Sequence, residues 1–297
     1  QISHPGRQQQ RGRGRSVAPS AVKLETGGPL FGTPRALTGA EIRDLIGRFA
    51  NTARIAVEGG FDGVELHAAH GYLISQFLSP VVNQRTDEWG GSLERRARFL
   101  LEIVAAVREA IGPDRSIAAK LNAADFQKGG FDNEDSIATA KLLEAAGLDL
   151  LEVSGGTYED PQMLSGLPNR QSTIEREAYF LEFAERLRGE TALPLMVSGG
   201  FRSSDAMAAA VASGATDLIG LARPLTLVPD LPKRVLAGES VRAADAEPRS
   251  NVKFIDAMLG SSWHNQQYAR LARGKHADDT RGTAKTLAVA IARLQRD

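Results

Sequence analysis

The feature that most constrains the fold is a regular alternation of short apolar runs with segments of helical periodicity. Glycines mark the brief turns that lead from helical segments into apolar runs, at Gly59-Gly60, Gly147 and Gly214. Parallel strands need a crossover between them, and a helix is the usual crossover. This alternation therefore predicts an α/β protein built on a parallel sheet.

Five strands and the end of a sixth follow from this pattern. The predicted strands cover residues 63–67, 116–121, 148–153, 195–197 and 217–221, and the sixth ends close to Gln1. Thr38 and Glu41 have the spacing of a capping box at the start of the first helix. Further helices are predicted at 94–109, 133–146, 174–188, 204–213 and 283–294, with a short one from Pro229.

Such a sheet can be arranged in two ways, as an open doubly wound sheet or as a closed (β/α)8 barrel. No strand–helix turn carries the G-x-G-x-x-G pattern that open dinucleotide-binding sheets usually have. Polar or glycine-rich residues instead follow the strands, which is typical of barrels, because barrel active sites lie at the carboxyl ends of the strands. These residues are His67 and His70, Lys120 and Asn122, Ser154, Ser198, and Ala222 with Arg223.

We therefore expect a (β/α)8 TIM barrel that is truncated at the amino terminus. About six of the eight strands of such a barrel can be found, and the other two should precede Gln1. The predicted domains are a partial barrel over residues 1–245 and a helical tail over residues 246–297.

Composition narrows the classes of function. The chain has no cysteine, which excludes disulfides, thiolate metal sites and a cysteine nucleophile. Its 36 basic and 36 acidic residues balance, so no nucleic-acid partner is indicated. No apolar run is long enough for a bilayer and no secretory signal is seen, so we expect a cytoplasmic protein without a membrane partner. The basic segment from Arg7 to Arg15 lacks aromatic residues and is expected to be a solvated or disordered loop.

Two loops near the end of the predicted barrel suit an anion. Gly199 and Gly200 follow one strand and precede a helix, and Arg223 follows the next strand. Glycine N–H groups, a helix amino terminus and an arginine are the usual components of a phosphate site. The last two strand–helix loops of barrels commonly form such a site, so we expect phosphate binding here rather than plain tight turns.

Lys120 and a histidine cluster offer further chemistry. Lys120 could stabilise an anionic ring, form a Schiff base or simply pair with a carboxylate. His67 and His70 form an H-x-x-H pattern, with Tyr72 two residues further on. No third ligand accompanies the pair, so no metal site is expected. Two imidazole N–H groups that hold a substrate carbonyl, with the Tyr72 hydroxyl as proton donor, fit these residues better.

A long run of residues resembles one known family. It comprises His67-Ala-Ala-His-Gly-Tyr-Leu73, Gln76-Phe-Leu-Ser-Pro80 and the segment from Asn83 to Phe99, within a similarity that extends from Gln1 to about Leu236. The run resembles the Old Yellow Enzyme family, which are FMN-dependent NADH:flavin oxidoreductases (NADH oxidases) or ene-reductases on a (β/α)8 barrel. The resemblance implies FMN as cofactor, NADH or NADPH as reductant, and a small-molecule acceptor such as an α,β-unsaturated carbonyl compound.

The resemblance also implies roles for single residues. His67 and His70 would bind the carbonyl oxygen of the acceptor, or the nicotinamide, and Tyr72 would protonate the α-carbon. The implied cofactor-binding residues are Gln1 at the flavin pyrimidine, Lys120 near flavin N1, Gly199, Gly200 and Phe201 in one phosphate loop, and Ala222 and Arg223 in the other. Most members have glycine in place of Ala222, and the methyl group is tolerable if φ stays negative.

Two other functions stay open. One is a barrel lyase that forms a Schiff base on Lys120, and the other is an inactive partial barrel that serves only as an interaction partner. The resemblance also implies that the family's amino-terminal third is missing before Gln1. We therefore expect the chain to be a fragment, the product of a truncated gene model or half of a split assembly. A homo-oligomer is also possible, since the family's final segment often packs against a neighbouring subunit.

Overall fold

The computed structural model describes residues 1–12, 14–26, 30–157, 180–244, 246–248 and 253–294. Its strands are β1 (Val17–Ala18), β2 (Arg35–Ala36), β3 (Gly63–Ala68), β4 (Ser116–Asn122), β5 (Leu150–Ser154), β6 (Leu195–Ser198) and β7 (Leu218–Gly220). Its helices are α1 (Gly39–Glu58), α2 (Leu73–Leu78), α3 (Leu93–Ile111), α4 (Asn133–Ala145), α5 (Leu181–Arg188), α6 (Ser204–Ala212), α7 (Arg223–Leu227), α8 (Leu231–Leu236), α9 (Lys253–Leu271) and α10 (Thr283–Leu294).

The chain divides into two compact units. Of the described residues, the first unit takes in those up to 157 together with 180–198 and 214–218, and the second takes in 199–213 and those from 219 onwards. The predicted boundary at residue 245 follows a different criterion, the end of the expected barrel, and stays a prediction.

Five strands, β3 to β7, form one sheet in chain order. Strands β3 to β6 pair in parallel, with His67 opposite Lys120 and Lys120 opposite Glu152. A helix lies between each strand and the next along the chain. The α/β class is confirmed, and each of the five predicted strands is found with its ends within two residues of the prediction.

The predicted sixth strand is a single bridge. Ile2 pairs in parallel with Leu66 of β3. The backbone N–H of Ile2 donates to Glu65 O at 2.7 Å, and that of His67 donates to Ile2 O at 3.0 Å. The first residues therefore extend the sheet beyond β3, as predicted, but over one residue only.

The first helix begins where the sequence predicts. Thr38 Oγ1 accepts from the backbone N–H of Glu41 at 3.3 Å, and Glu41 Oε2 accepts from the backbone N–H of Thr38 at 2.8 Å. This reciprocal capping box satisfies two N–H groups that would otherwise lack partners. The buried side of α1 consists of Ile42, Ile46, Phe49 and Ala53, and Phe49 meets Phe99 of α3 edge to face.

The two faces of the sheet carry different residues. Alternate positions along β3 and β4, such as Leu66 and Ala119, are fully buried and apolar. Since successive side chains of a strand point to opposite faces, the positions between them share the other face. That second face carries Glu65 and His67 from β3, Lys120 and Asn122 from β4, and Glu152 and Ser154 from β5. The fold thus collects the chemically active side chains on one side of the sheet.

The basic segment near the amino terminus is only partly a solvated loop. Residues Gly6–Gln8 form a 3-10 turn, and Arg7 is 2% exposed. The Arg7 guanidinium donates to Lys23 O at 3.2 Å. The expectation of a solvated loop is therefore wrong for Arg7 and Gln8, because these side chains supply hydrogen bonds to buried backbone. It holds for residues 10–12, 14 and 15, which are exposed.

The second unit is mainly helical towards the carboxyl end. Helix α10 has the predicted bounds, Thr283–Leu294. It is joined to α9 by a hydrogen bond that Gln266 Nε2 donates to Thr286 O at 3.1 Å. The helix predicted at 174–188 is described from Leu181 on, since 174–179 lie outside the described residues. None of the helices in the described ranges has the length and apolarity that a membrane crossing requires.

Candidate active site

The turn after β3 is built on an unusual backbone conformation. The N–H of Tyr72 donates to Ala69 O at 3.2 Å across this turn. His70 has a φ of +60° and Gly71 a φ of +71°. A left-handed backbone costs a residue other than glycine about 1 kcal/mol or more, so surrounding contacts must offset it.

Three polar contacts hold His70 in this turn. Its backbone N–H donates to Asn122 Oδ1 at 3.1 Å, and its carbonyl accepts from Gln8 Nε2 at 2.9 Å. Its ring Nε2 lies 2.8 Å from Ser154 Oγ. Asn122 and Ser154 lie opposite each other at the carboxyl ends of β4 and β5. Two neighbouring strand ends therefore fix both the backbone and the ring of His70.

The two histidines of the H-x-x-H pattern form a close pair. His67 Nε2 lies 3.0 Å from His70 Nδ1, and the rings are nearly perpendicular at 87°. Burial, His70 and Lys120 lower the pKa of His67 to about 3. Burial and the nearby Lys120 lower the pKa of His70 to about 4. Both imidazoles are therefore neutral near neutral pH, and each carries one N–H donor.

Tyr72 completes the cluster that the sequence predicts. It is the residue before α2, and it is half-buried. Its ring centroid lies 4.6 Å from that of His67, with the planes inclined by 51°. A phenol ring thus lies beside the imidazole of His67.

Lys120 lies among carboxyl groups on the same face of the sheet. Its Nζ is 3.0 Å from Glu152 Oε1 and 4.0 Å from Glu65 Oε1. Gln1 Nε2 donates to the same Glu65 oxygen, so Gln1 joins this cluster. The salt-bridge alternative for Lys120 is therefore observed, and it places the lysine on the strand next to His67.

Glu65 and Glu152 are functional candidates that the sequence prediction missed. Burial and a hydrogen bond with Glu65 raise the pKa of Glu152 to about 7. Burial opposes ionisation of Glu65 as well, but its hydrogen bond with Glu152 and the charge of Lys120 lower the pKa of Glu65. Of the two carboxyl groups, Glu152 therefore binds a proton more readily than Glu65. The sequence does contain a signal for Glu65. It lies two residues before His67 in an apolar strand, so the two side chains lie on the same face of the sheet.

The first of the two predicted phosphate loops has a backbone that allows close approach to an anion. Gly199 and Gly200 follow β6 with φ of +107° and +99°, which residues with a Cβ rarely adopt. Phe201 is 2% exposed and anchors the loop. Helix α6 then begins, with Ser203 Oγ accepting from Ala206 N at 3.3 Å. A loop of this form can present N–H groups to an anion.

The second loop places an arginine in a polar network. Ala222 has a φ of −130°, so its methyl group is tolerated. Arg223 Nη1 lies 3.4 Å from Glu247 Oε1, and His264 Nε2 lies 2.8 Å from the same oxygen. Burial works against ionisation of Glu247, but the hydrogen bond with His264 and the charge of Arg223 lower its pKa to about 2. The sequence prediction did not include Glu247.

The predicted site residues thus divide between the two units. His67, His70, Tyr72, Gln1 and Lys120 belong to the first unit, and Gly199, Gly200, Phe201, Ala222 and Arg223 belong to the second. Within the described part of the chain, no group of three or more His, Asp or Glu side chains is arranged to hold a metal ion.

The chain was compared with known protein families. Residues 1–241 match the model of the NADH:flavin oxidoreductase / NADH oxidase family. The chain belongs to this family. It is 40% identical over 88% of its length to the NADH-dependent flavin oxidoreductase iliE of Hypocrea jecorina, of which it covers 70%. It is likewise 40% identical to the iliE of Neonectria, but it covers 39% of that protein.

Solved structures agree with this assignment. A 2-naphthoyl-CoA reductase in complex with 2-naphthoyl-CoA superimposes with a TM-score of 0.74 at 31% identity, over 90% of this chain and 43% of that one. An old yellow enzyme homologue from Zymomonas mobilis superimposes with a TM-score of 0.65 at 29% identity, over 81% of this chain and 66% of that one. The predicted family and the TIM-barrel fold class are confirmed. The chain spans less than half of the Neonectria relative and of the naphthoyl-CoA reductase.

Family membership also settles the general chemistry. Members are oxidoreductases that use flavin, with FMN as the cofactor and a nicotinamide nucleotide as the reductant. Membership does not by itself identify the acceptor.

Proposed function

We propose that this protein reduces an activated alkene of the α,β-unsaturated carbonyl class, with NADH or NADPH as the reductant. The observation that carries the proposal is the pair of imidazole nitrogens 3.0 Å apart, at His67 Nε2 and His70 Nδ1. In the structure one of these nitrogens donates to the other, and a carbonyl oxygen bound between the two rings would accept from both once each ring carries its proton on the nitrogen that faces it. A carbonyl oxygen is the substrate group that suits two neutral donors.

The two imidazoles would polarise the acceptor. Negative charge develops on the carbonyl oxygen when hydride adds to the β-carbon, and donors already in place stabilise that charge without reorganisation. Neutral imidazole rings suit this role better than imidazolium, since a neutral N–H donates a hydrogen bond without placing a positive charge in a buried site. The depressed pKa values of both histidines, about 3 and about 4, support this role.

FMN fits the donor chemistry of the chain. Gly199 and Gly200 have a backbone that a Cβ would strain, which is the cradle that a phosphate group requires. Phe201, Ala222 and Arg223 would complete the phosphate site, while Gln1 and Lys120 would contact the flavin ring. When bound, FMN supplies the hydride chemistry, and the chain supplies binding, orientation and charge. Residues 1–245 would form this flavin-binding part and residues 246–297 its helical tail.

Tyr72 would act as the general acid. Its hydroxyl would donate a proton to the α-carbon of the acceptor, so that the alkene gains hydrogen at both carbons. The position of its ring beside that of His67 supports this assignment, because a carbonyl held by His67 would bring its α-carbon near the phenol.

The lyase alternative has less support. A Schiff base needs an unprotonated amine, whereas Lys120 Nζ lies 3.0 Å from one carboxyl group and 4.0 Å from another. The family assignment also favours flavin chemistry.

The test is an anaerobic turnover assay on the purified chain after reconstitution with FMN. We expect bound flavin to survive desalting, and NADH or NADPH oxidation to saturate with a cyclic enone and to yield the saturated ketone in equal amount. Nicotinamide oxidation that needs flavin but ignores the enone would contradict the acceptor. Loss of flavin on desalting, with no turnover, would favour the inactive partial barrel.

A further inference from the structure

Ser154 is a buried polar residue that the proposed function leaves without a role. It ends β5 and its side chain is fully buried. Its Oγ lies 2.8 Å from His70 Nε2, on the side of the ring away from His67. A hydroxyl in a buried site normally has a definite hydrogen-bonding task.

The geometry of His70 makes the location of one proton important. A neutral imidazole carries its proton on one nitrogen and a lone pair on the other. The Nδ1 atom of His70 faces His67 Nε2 at 3.0 Å, and its Nε2 atom faces Ser154. If Nδ1 is to donate to a substrate carbonyl, the proton must be there, and Nε2 must then accept a hydrogen bond. Free imidazole side chains favour the opposite arrangement, with the proton on Nε2.

We propose that Ser154 is a positioning residue, which donates its hydroxyl hydrogen to His70 Nε2 and so holds the His70 proton on Nδ1. The purpose of this arrangement, a donor at Nδ1 for an enone oxygen, rests on the proposed function. The tautomer itself is a property of this chain and can be tested without any substrate.

Two printed contacts reach the ring of His70, Ser154 Oγ at Nε2 and His67 Nε2 at Nδ1. Asn122 Oδ1 and Gln8 Nε2 hold only the backbone of His70. The Asn122 amide is itself oriented, because its Nδ2 donates to Asp125 Oδ1 at 2.8 Å and to Gly156 O at 3.1 Å. This leaves its Oδ1 facing His70. The backbone is therefore fixed independently of Ser154, and the effect of Ser154 is confined to the ring.

Ser136 provides a matched control. It is 1% exposed, and its Oγ donates to the backbone oxygen of Asn122 at 2.8 Å. Ser136→Ala therefore removes a buried serine hydroxyl and one hydrogen bond from the same region, but no contact with an imidazole. Any effect that Ser154→Ala shares with Ser136→Ala reflects the fold rather than the tautomer.

The test is ¹⁵N NMR of histidine-labelled protein, in which the shifts of the two ring nitrogens report the tautomer. The chain has five histidines, so His70→Gln assigns the signal by its loss. We expect the Nδ1–H form for His70 in the wild type and in Ser136→Ala, and the Nε2–H form or a mixture in Ser154→Ala. An Nε2–H form in the wild type, or an unchanged Nδ1–H form in Ser154→Ala, would overturn the proposal.

Kinetics then separate this inference from the proposed function. With an enone as acceptor, Ser154→Ala should raise KM roughly tenfold relative to Ser136→Ala, the effect of losing one donor to the bound carbonyl. If the tautomer changes as expected but no form of the protein reduces an enone, the proposed function fails and the role of Ser154 stands. If enones are reduced and Ser154→Ala leaves both tautomer and KM unchanged, the role of Ser154 fails alone.

Discussion

At the scale of single residues, His70 has an unfavourable backbone conformation, and its ring lies against that of His67. Its φ is +60°, and its N–H and carbonyl are held by Asn122 and Gln8. The sequence predicts that His67, His70 and Tyr72 act together, because they lie within six residues. It could not predict Glu65 and Glu152 as a pair, because their contact depends on strand register and on Lys120 between them.

Tyr72→Phe is the first prediction at this scale. Losing the phenol hydroxyl removes the proton donor, so reoxidation of the reduced flavin by an enone should slow by about 10²-fold or more. Reduction of the flavin by NADH needs no such proton and should be nearly unchanged. Stopped-flow absorbance measures both half-reactions, and an equal loss in the two would contradict the role of Tyr72.

The histidine pair also predicts a pH dependence of stability. Both folded pKa values, about 3 and about 4, lie below the ordinary value of 6.5. The unfolded chain therefore binds more protons below pH 6.5, and stability is lost as the pH falls from about 6.5 to about 4 for His70 and to about 3 for His67.

The slope of this loss is at most about 1.4 kcal/mol per pH unit for each histidine. Replacing both residues, as His67→Asn with His70→Gln, should flatten the loss even though the variant is less stable at neutral pH. Urea denaturation at a series of pH values between these limits measures it. Parallel curves for the wild type and the double variant would show that the two rings titrate normally.

At the scale of elements, the helices and strands follow from local sequence. Thr38 and Glu41 define the start of α1, and alternation with glycine turns defines strands β3 to β7, whose predicted ends lie within two residues of those observed. The strand predicted from Leu148 begins at Leu150, and Asp149 before it contacts Ile117 twice: its N–H donates to Ile117 O at 3.0 Å, and its carboxylate accepts from the N–H of Ile117 at 2.7 Å. These contacts come from another strand and could not be predicted from local sequence.

The capping box of α1 gives a prediction at this scale. Thr38→Ala removes the side-chain oxygen that accepts from Glu41 N, and should lower the free energy of unfolding by about 1 kcal/mol. Thr52→Ala is the control, since Thr52 is exposed within α1 and alanine is a better helix former. Chemical denaturation compares the two, and equal effects would mean that the cap contributes no stability.

At the scale of the whole molecule, family, fold class and cofactor could be predicted from the sequence, because the run from His67 to Phe99 and the two glycine and arginine loops are distinctive. The environment of Arg223 could not, because Glu247, which pairs with Arg223, and His264, which pairs with Glu247, come from a distant part of the chain. The buried conformation of Arg7 was also missed, since a basic composition normally indicates solvent exposure.

Arg223→Ala tests the phosphate site as a property of the whole chain. Loss of a charge-assisted hydrogen bond should weaken FMN binding by roughly 10- to 100-fold. Riboflavin lacks the phosphate, so its affinity should not change. Arg234→Ala, at a half-buried arginine of α8 that pairs with Glu239, is the control. Fluorescence titration with both flavins measures the effect, and an equal loss for riboflavin would exclude a role in phosphate binding.

The central claim is that the imidazole pair holds the carbonyl oxygen of an enone during its reduction. The most direct measurement is the rate at which a cyclic enone reoxidises the pre-reduced, FMN-loaded protein without oxygen, in the wild type and in His67→Ala with His70→Ala. The account predicts a rate that saturates with enone in the wild type, and a slower rate without saturation in the double variant. Identical rates and saturation in the two proteins would contradict it.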